Sequence, residues 1–576
     1  MSFDYSRLPR EYPRRFLPAQ LDVADLSQLE SMFDELQRRP IQSKDDLEKW
    51  LEDESEFAAA IHEESAIRYI RMTCRTDDEE RQKAYLYFVE NVAPRVKLRF
   101  FELDRKYLSS PARNELPKDR YFVLDRDVAN SVALFREKNV ELEKEEATLA
   151  QQYQKLGGAR TVFYQGRERT MQQMAQYLEE VKRDVRQETW QLAEDRRLRD
   201  REILDRLYSK LIALRQEIGK NAGFENYRDF AFRKRERFDY TPEDCFRFHQ
   251  AVEQYIVPLV RDLDRDRANR LGVDRLRPWN IVVDTSGRPP LKPFNSTEEL
   301  VERYVQILSR IDSDFVGNFR RMAELGLLDL ESRPGKAPGG YCDTLSEIRL
   351  PFIFLNLVGR DSDARSLMHE SGHAFHTFAT REANMNFLYR GWNAPLEFAE
   401  VASMSMELLG GDHIEGTFYD HEDAVRSRRS HLESLVRLLA WIATIDSFQH
   451  WVYTNPEHTS VERAEFWLKL RERFGGIESW DGYEDKQRAY WQRQTHLFTS
   501  PFYYIEYGIA QLGALGVWTR YRRDPKAAVE AYKRALALGG SRTLPELFKA
   551  ADLPFDFGPS TIEPCARELR AELEDN

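Results

Sequence analysis

The segment His369-Glu370-Ser371-Gly372-His373 places two histidines and a glutamate at a spacing that can do chemistry. On a helix, residues four apart share one face a turn apart. Two imidazoles so placed can bind one tetrahedral zinc ion, each through one ring nitrogen. Glu370 follows His369 directly and is rotated off the ligand line. From there its carboxylate can take a proton from a zinc-bound water, whose pKa falls toward about 7. The sequence thus predicts metal-assisted hydrolysis, with His369 and His373 as zinc ligands and Glu370 as the base. The bland alternative is two histidines on an ordinary helix. With only 11 histidines in 576 residues, such a chance grouping is rare.

A catalytic zinc keeps three protein ligands and one open position. The pattern with a third histidine needs Gly at 376 and His at 379, but the residues are His376 and Ala379. A second pattern places a glutamate about 19–20 residues past the second histidine, where this chain has Trp392 and Asn393. The remaining candidates are Glu397, Glu400 and Glu407, in a stretch that reads as a helix packed against the first. Glu400 and Glu407 are two turns apart and share a face. One can ligate while the other orients a histidine. Spacing alone does not choose between Glu397 and Glu400, and any one of the three could equally be an exposed glutamate.

Asp361, Ser362 and Asp363 are each competent caps, and a helix is predicted over 363–380. Before it, the turn-rich Pro334–Gly340 leads into two strand-like runs, Tyr341–Thr344 and Ile348–Leu357. Most of the remainder reads as helix. Several amphipathic helices are expected over 20–110, and a charged helix over 129–156 that stops at Gly157-Gly158. A short β-hairpin follows at Thr161–Gly166, then a second charged helix from 170 to 219 that forms a helical hairpin with the first. More helices fill 220–330, interrupted near 277–293. The fold class is mainly α, with a small β element beside the His-Glu helix. A chain of 576 residues exceeds one core. The expected division is 1–200, an N-terminal helical region including part of the hairpin, and 201–576, the zinc-binding catalytic region.

The formal charge of -12 argues against a nucleic-acid partner. No stretch approaches the roughly 18 apolar residues of a spanning helix, and the N-terminal run has no apolar leader. Cys74, Cys245, Cys342 and Cys565 form no CxxC pair. That excludes a disulfide framework or a cysteine zinc knuckle and points to a reducing cytoplasm. Cys342, near the motif, reads as a reactive thiol or, preferably, as a small buried apolar residue.

HESGHAFH followed by EVASMSME resembles the thimet oligopeptidase and oligoendopeptidase F family of zinc metallopeptidases. That family carries E-x-x-S-x-x-x-E after the histidine pair, matched here by Glu400, Ser403 and Glu407, with Ala402 where some members have Pro. The resemblance implies Glu400, and not Glu397, as the third ligand. Gly335–Gly359 resembles the bacterial Pz-peptidase-like branch, which implies a strand along the cleft that an extended peptide joins by β-augmentation. Thr495–Gly508 resembles the segment whose histidine and tyrosines stabilise the oxyanion. By that likeness His496 and Tyr507 donate to the developing charge, then Tyr504, with Tyr503 as its alternative. An aromatic helix face packed in a core is the competing reading. The likeness runs from the helical hairpin to Phe555–Gly558, and the first 120 residues share only their helical character. It implies an elongated two-lobed helical fold with a deep channel, one Zn2+ per chain, and endopeptidase action on short unfolded oligopeptides. The rivals are a zinc exopeptidase of another class and a non-catalytic peptide-binding scaffold.

Overall fold

The computed structural model describes residues 4–389 and 394–575, of Asp575 its backbone alone, so Trp392 and Asn393 lie outside the described residues. Helix dominates, and local sequence sets where helices begin. Ser43, Thr241 and Thr459 each accept the backbone N–H three residues on, and Asp46, Asp244 and Glu462 return the bond. Such reciprocal caps satisfy two otherwise orphaned donors. The first of these starts α1 (Lys44–Cys74). Among the described residues no helix is long and apolar enough to cross a membrane.

The chain forms two compact units, each built from three stretches. The first comprises Met1–Ala133, Lys292–Ala424 and Gly513–Phe555; the second comprises Leu134–Leu291, Val425–Leu512 and Asp556–Asn576. The compact units therefore do not part at residue 200, which lies inside the second.

The second unit opens with α2 (Asn139–Gly158), then β1 (Thr161–Tyr164) and β2 (Arg167–Thr170). These strands pair antiparallel, as expected of the hairpin. Gln165 and Gly166 both have positive φ, 50° and 74°, the backbone of a two-residue turn that matches strand twist. Next come α3 (Arg183–Leu198), α4 (Arg201–Asn221) and α5 (Pro242–Ala251). Two expected long helices are broken. A separate helix covers Lys118–Leu134, and α2 starts only at Asn139. The Asn139 amide donates to Ile218 O at 3.1 Å and accepts from Asn221 at 2.8 Å, which ties the start of α2 to the end of α4. The stretch 170–219 breaks again before Arg201, where Asp200 accepts from Arg160 at 2.8 Å and Arg196 at 3.1 Å.

In the first unit, β3 (Leu328–Glu331), β4 (Tyr341–Leu345) and β5 (Leu350–Leu357) form a sheet in the order β3-β5-β4. β5 runs parallel to β3 and antiparallel to β4, with Cys342 opposite Ile353. The long apolar strand is thus the centre of the sheet. Among the described residues β5 is flanked on both sides, by β3 at Ile353, Phe354 and Leu357 and by β4 along Leu350–Phe354, and β4 is the edge strand beside the motif. The sheet lies on α6 (Asp361–Glu382), where the Thr344 and Thr377 hydroxyls meet at 2.9 Å. α6 extends two residues beyond the expected helix at each end. The turn between β4 and β5 is held by Glu63 of α1, which accepts the backbone N–H groups of Glu347 at 2.7 Å and Ile348 at 2.9 Å.

Burial pushes the Glu63 carboxyl up to about 7, against hydrogen bonds from Tyr5 and the Ile348 N–H. A folded pKa raised above the unfolded value, about 4.3, gives stability that is complete below that value and lost as pH rises through the folded pKa. Glu63→Gln, which cannot ionise, should therefore lose less stability than wild type between about pH 5 and about pH 8, by up to roughly 3 kcal/mol. Denaturant midpoints at the two pH values measure this, and equal losses would remove Glu63 from the account.

Candidate metal centre and active site

Two junctions place the helix that carries the His-Glu motif. At its start, the Asp363 carboxylate accepts the N–H groups of Val358, Gly359 and Arg360 at 2.7, 2.9 and 3.0 Å. Asp361 and Ser362 sit inside the first turn and not at the cap. Further along, α6 packs antiparallel against α7 (Leu396–Gly411), so that Met368 meets Gly410 and Gly372 meets Ala402 and Ser403. A Cβ on Gly372 would stand 2.4 Å from the Ala402 carbonyl oxygen and 2.5 Å from Ser403 Cα. Only a glycine allows two backbones so close. The same carbonyl accepts the Tyr532 hydroxyl at 2.8 Å.

This packing gathers three atoms that could hold a metal ion. His369, His373 and Glu400 each contribute one, all within 4.8 Å of one another. Glu400 Oε2 is 3.4 Å from His369 Nε2 and 3.9 Å from His373 Nε2. Corners of a tetrahedron with zinc bonds of about 2.0–2.1 Å stand about 3.4 Å apart, so the donor set and its spacing fit zinc with a corner left open. Glu397 is not in this group. Glu407 Oε1 lies 2.7 Å from His369 Nδ1 and fixes that ring from behind. Ser403 Oγ donates to Glu400 Oε2 at 2.9 Å and so orients the carboxylate.

The electrostatics suit a divalent cation. Burial, helped by His369, lowers His373 to about 3 and keeps its imidazole neutral. Burial also opposes a charge on His369, but the Glu407 hydrogen bond and the surrounding carboxylates lift it to about 9. Burial raises Glu370 to about 7, with Glu400 and Glu407 adding to the effect against His369, and it raises Glu400 as well. Carboxylates gathered around two imidazoles make a site that positive charge stabilises, as the raised His369 already shows. Glu370 also meets a backbone hydrogen bond from Cys342 on β4. With His369, Glu407, Gly340 and Asn356 it lines a cavity of about 510 Å³. The Cys342 thiol itself is pushed well up by burial, which makes it a poor nucleophile.

The second predicted group lies in the second unit. The His496 ring stands 5.3, 5.1 and 5.9 Å from the rings of Tyr503, Tyr504 and Tyr507, the last two on α9; α8 spans His421–Thr454 and α9 spans Tyr504–Arg523. Trp441 on α8 donates its indole N–H to Gln494 Oε1 at 3.0 Å. An indole nitrogen only donates, so the amide is oriented and Gln494 Nε2 donates to His496 Nδ1 at 2.8 Å. Burial, with Arg235 nearby, lowers the His496 pKa. The ring is therefore neutral with its proton on Nε2, a hydrogen-bond donor. The buried Arg215 fixes the segment from below: it donates to Leu497 O at 3.0 Å and Phe498 O at 2.5 Å, and to Glu146 at 2.6 Å. Gln494, Trp441 and Arg215 carry no signal in the sequence, because each acts across a contact that spacing does not reveal.

A family model described as "Peptidase family M3" matches residues 176–556, and another, "Peptidase M3 N-terminal domain", matches residues 16–135. The chain belongs to peptidase family M3. The likeness therefore reaches into the first 120 residues, beyond their helical character. Over 284 residues this M3 chain is 22% identical to Oligopeptidase PepF of Bacillus subtilis (strain 168), covering 48% of the chain and 41% of that protein. Over 223 residues it is 26% identical to the plasmid Oligoendopeptidase F of Lactococcus lactis subsp. cremoris, covering 39% and 33%. It thus spans less than half the length of either relative. The solved structure of Pz peptidase A with inhibitor 2 matches with a TM-score of 0.87 at 27% identity, over 100% of this chain and 99% of that one.

Glu407 lies outside the three-residue group, yet it holds the Nδ1 side of His369. Glu407→Ala should weaken zinc binding about 10–100-fold, read by competition with a fluorescent chelator. Unchanged affinity would assign Glu407 a merely structural place.

Proposed function

We propose that this M3 chain is a zinc-dependent endopeptidase that cleaves short unfolded oligopeptides in a size-restricting channel. The observation that carries the proposal is the convergence of His369, His373 and Glu400 beside Glu370. The names of the relatives, an oligopeptidase and an oligoendopeptidase, support the substrate class. Every residue given a role falls within 201–576. The four cysteines are free thiols, which supports a reducing cytoplasmic setting.

His369, His373 and Glu400 would hold the zinc, one per chain. When bound, zinc supplies Lewis acidity toward the scissile carbonyl and makes a water acidic near neutral pH. Glu370, its pKa raised to about 7, takes the proton of the attacking water and delivers it to the leaving amine. The Nε2–H of His496 and the Tyr507 hydroxyl, with Tyr504 beside them, donate to the oxyanion. The open edge of β4 receives the extended peptide by backbone pairing, and Cys342 on that strand sits against the base. Pairing of this kind reads backbone more than side chains and suits a broad range of sequences.

A peptide blocked at both ends should be cut internally by the wild-type enzyme; no cleavage would leave the exopeptidase reading standing. Glu370→Gln should keep its zinc and lose about 10²–10⁴-fold in kcat. Peptide hydrolysis at the wild-type rate would sink the assignment of the base. Tyr507→Phe and His496→Ala should each lower kcat by about 10²–10³-fold, with KM little altered. A loss confined to KM would instead make them contacts to the bound substrate.

A further inference from the structure

Far from the first centre in sequence, two helices each present a pair of metal-ligating residues one turn apart. Cys245 and His249 lie on α5, and Asp446 and His450 lie on α8. Spacing of four puts each pair on one helix face, and facing helices of this kind build metal sites in helical bundles. All four residues belong to the second unit. Cys245 Sγ, a carboxylate oxygen of Asp446 and a ring nitrogen of His450 all lie within 4.8 Å of one another. Cys245 and Asp446 are fully buried, and His249 and His450 are each 3% exposed.

The hydrogen bonding of this cluster is incomplete without a further group. His249 Nε2 donates to Asp446 Oδ2 at 2.9 Å. His450 Nε2 is 3.3 Å from the same oxygen, near enough for an ion pair but off the line of a hydrogen bond. Neither ring nitrogen of His450 and not the second oxygen of Asp446 has a hydrogen-bond partner among the described residues. The rings of Phe246, Phe502 and Phe232 stand 4.9, 5.4 and 5.9 Å from the His450 ring, so its surroundings offer it apolar faces. Buried polar atoms are almost always partnered, and buried charges are paired or coordinate metals.

We propose that Cys245, Asp446 and His450 form a second, structural metal centre for a divalent cation of the zinc class. A thiolate, an imidazole and a carboxylate are donors that zinc and its surrogate cobalt accept. His249 holds Asp446 from behind, as outer-shell partners hold ligating groups elsewhere. Binding forms a metal–sulfur bond and releases the Cys245 proton to solvent. The thiol holds that proton firmly otherwise, because burial raises its pKa. The near-complete burial of the ligands marks a site that fastens α5 to α8 and does not turn over substrate. The proposal stands independently of the hydrolytic reading, since it uses none of the same residues.

The test uses the full chain with the first centre removed, His369→Ala/His373→Ala. After zinc loading and dialysis this protein should retain about one zinc per chain, measured by elemental analysis. Loaded with cobalt in place of zinc, it should show the near-ultraviolet absorption of a thiolate–cobalt bond. Adding Cys245→Ser should abolish the absorption and the tight zinc. The proposal fails if the double variant holds no zinc, or if its cobalt absorption is absent or survives Cys245→Ser. The first two outcomes need no change at the new centre, so they decide even if the serine variant does not fold.

Discussion

The approach of α6 to α7 at Gly372 is the contact on which the candidate metal centre depends. Packed helices usually stand 8–10 Å apart, a gap filled by the side chains between them. Here the backbone of α7 reaches the bare Cα of Gly372, where any Cβ would lie 2.4 Å from Ala402 O. A glutamate side chain is short. Held one methyl group farther off, Glu400 would no longer bring Oε2 to 3.4 Å from His369 Nε2. Ser403, fully buried at the same contact, is small enough for the approach and still orients Glu400 through its hydroxyl.

Burial then prepares the histidines in two ways. Removing water lowers the pKa of His373 in the first unit and of His496 in the second. What each imidazole can do afterwards depends on its neighbours. Glu407 occupies His369 Nδ1, which leaves Nε2 facing Glu400, the atom that would take a metal. Gln494 occupies His496 Nδ1 as a donor, which leaves Nε2 carrying the proton. One side chain type thus offers a nitrogen for a metal in the proposed site and a hydrogen-bond donor in the other, set by the partner on the opposite nitrogen.

Much of this was legible in the chain itself. Periodicity and composition showed the helices, Gln165-Gly166 marked the hairpin, and the spacing of His369 and His373 named two of the residues that converge; spacing left Glu397, Glu400 and Glu407 open, and only the family resemblance pointed to Glu400. What stayed hidden was hidden for physical reasons. The breaks at 135–138 and at Arg199-Asp200 contain no Gly or Pro, and they arise because Asn139 and Asp200 bond to partners brought near by packing. The apolar run that became β5 was readable as a strand, but its central place between β3 and β4 was not, because that depends on which distant segments pair with it. The interleaving of the two units left no trace in composition, since it is a matter of which distant segments pack together. Cys245 and Asp446 were equally silent: each pair is spaced for one helix face, yet nothing in the order of residues shows that the faces meet.

That interleaving bears on the order in which the protein is made. His369, Glu370, His373 and Glu400 all lie in the middle stretch of the first unit, Lys292–Ala424. The groups that set them come from its other stretches: Glu63 grips the β4–β5 turn, and Tyr532 holds the Ala402 carbonyl where α7 meets Gly372. On the ribosome the imidazoles and carboxylates emerge long before Tyr532 does. Until the Gly513–Phe555 stretch has been synthesised, the nascent chain carries His369, His373 and Glu400 without the Tyr532 hydrogen bond at the α6–α7 contact. The full set of contacts around the candidate metal centre is therefore available only once the unit's last stretch has been made.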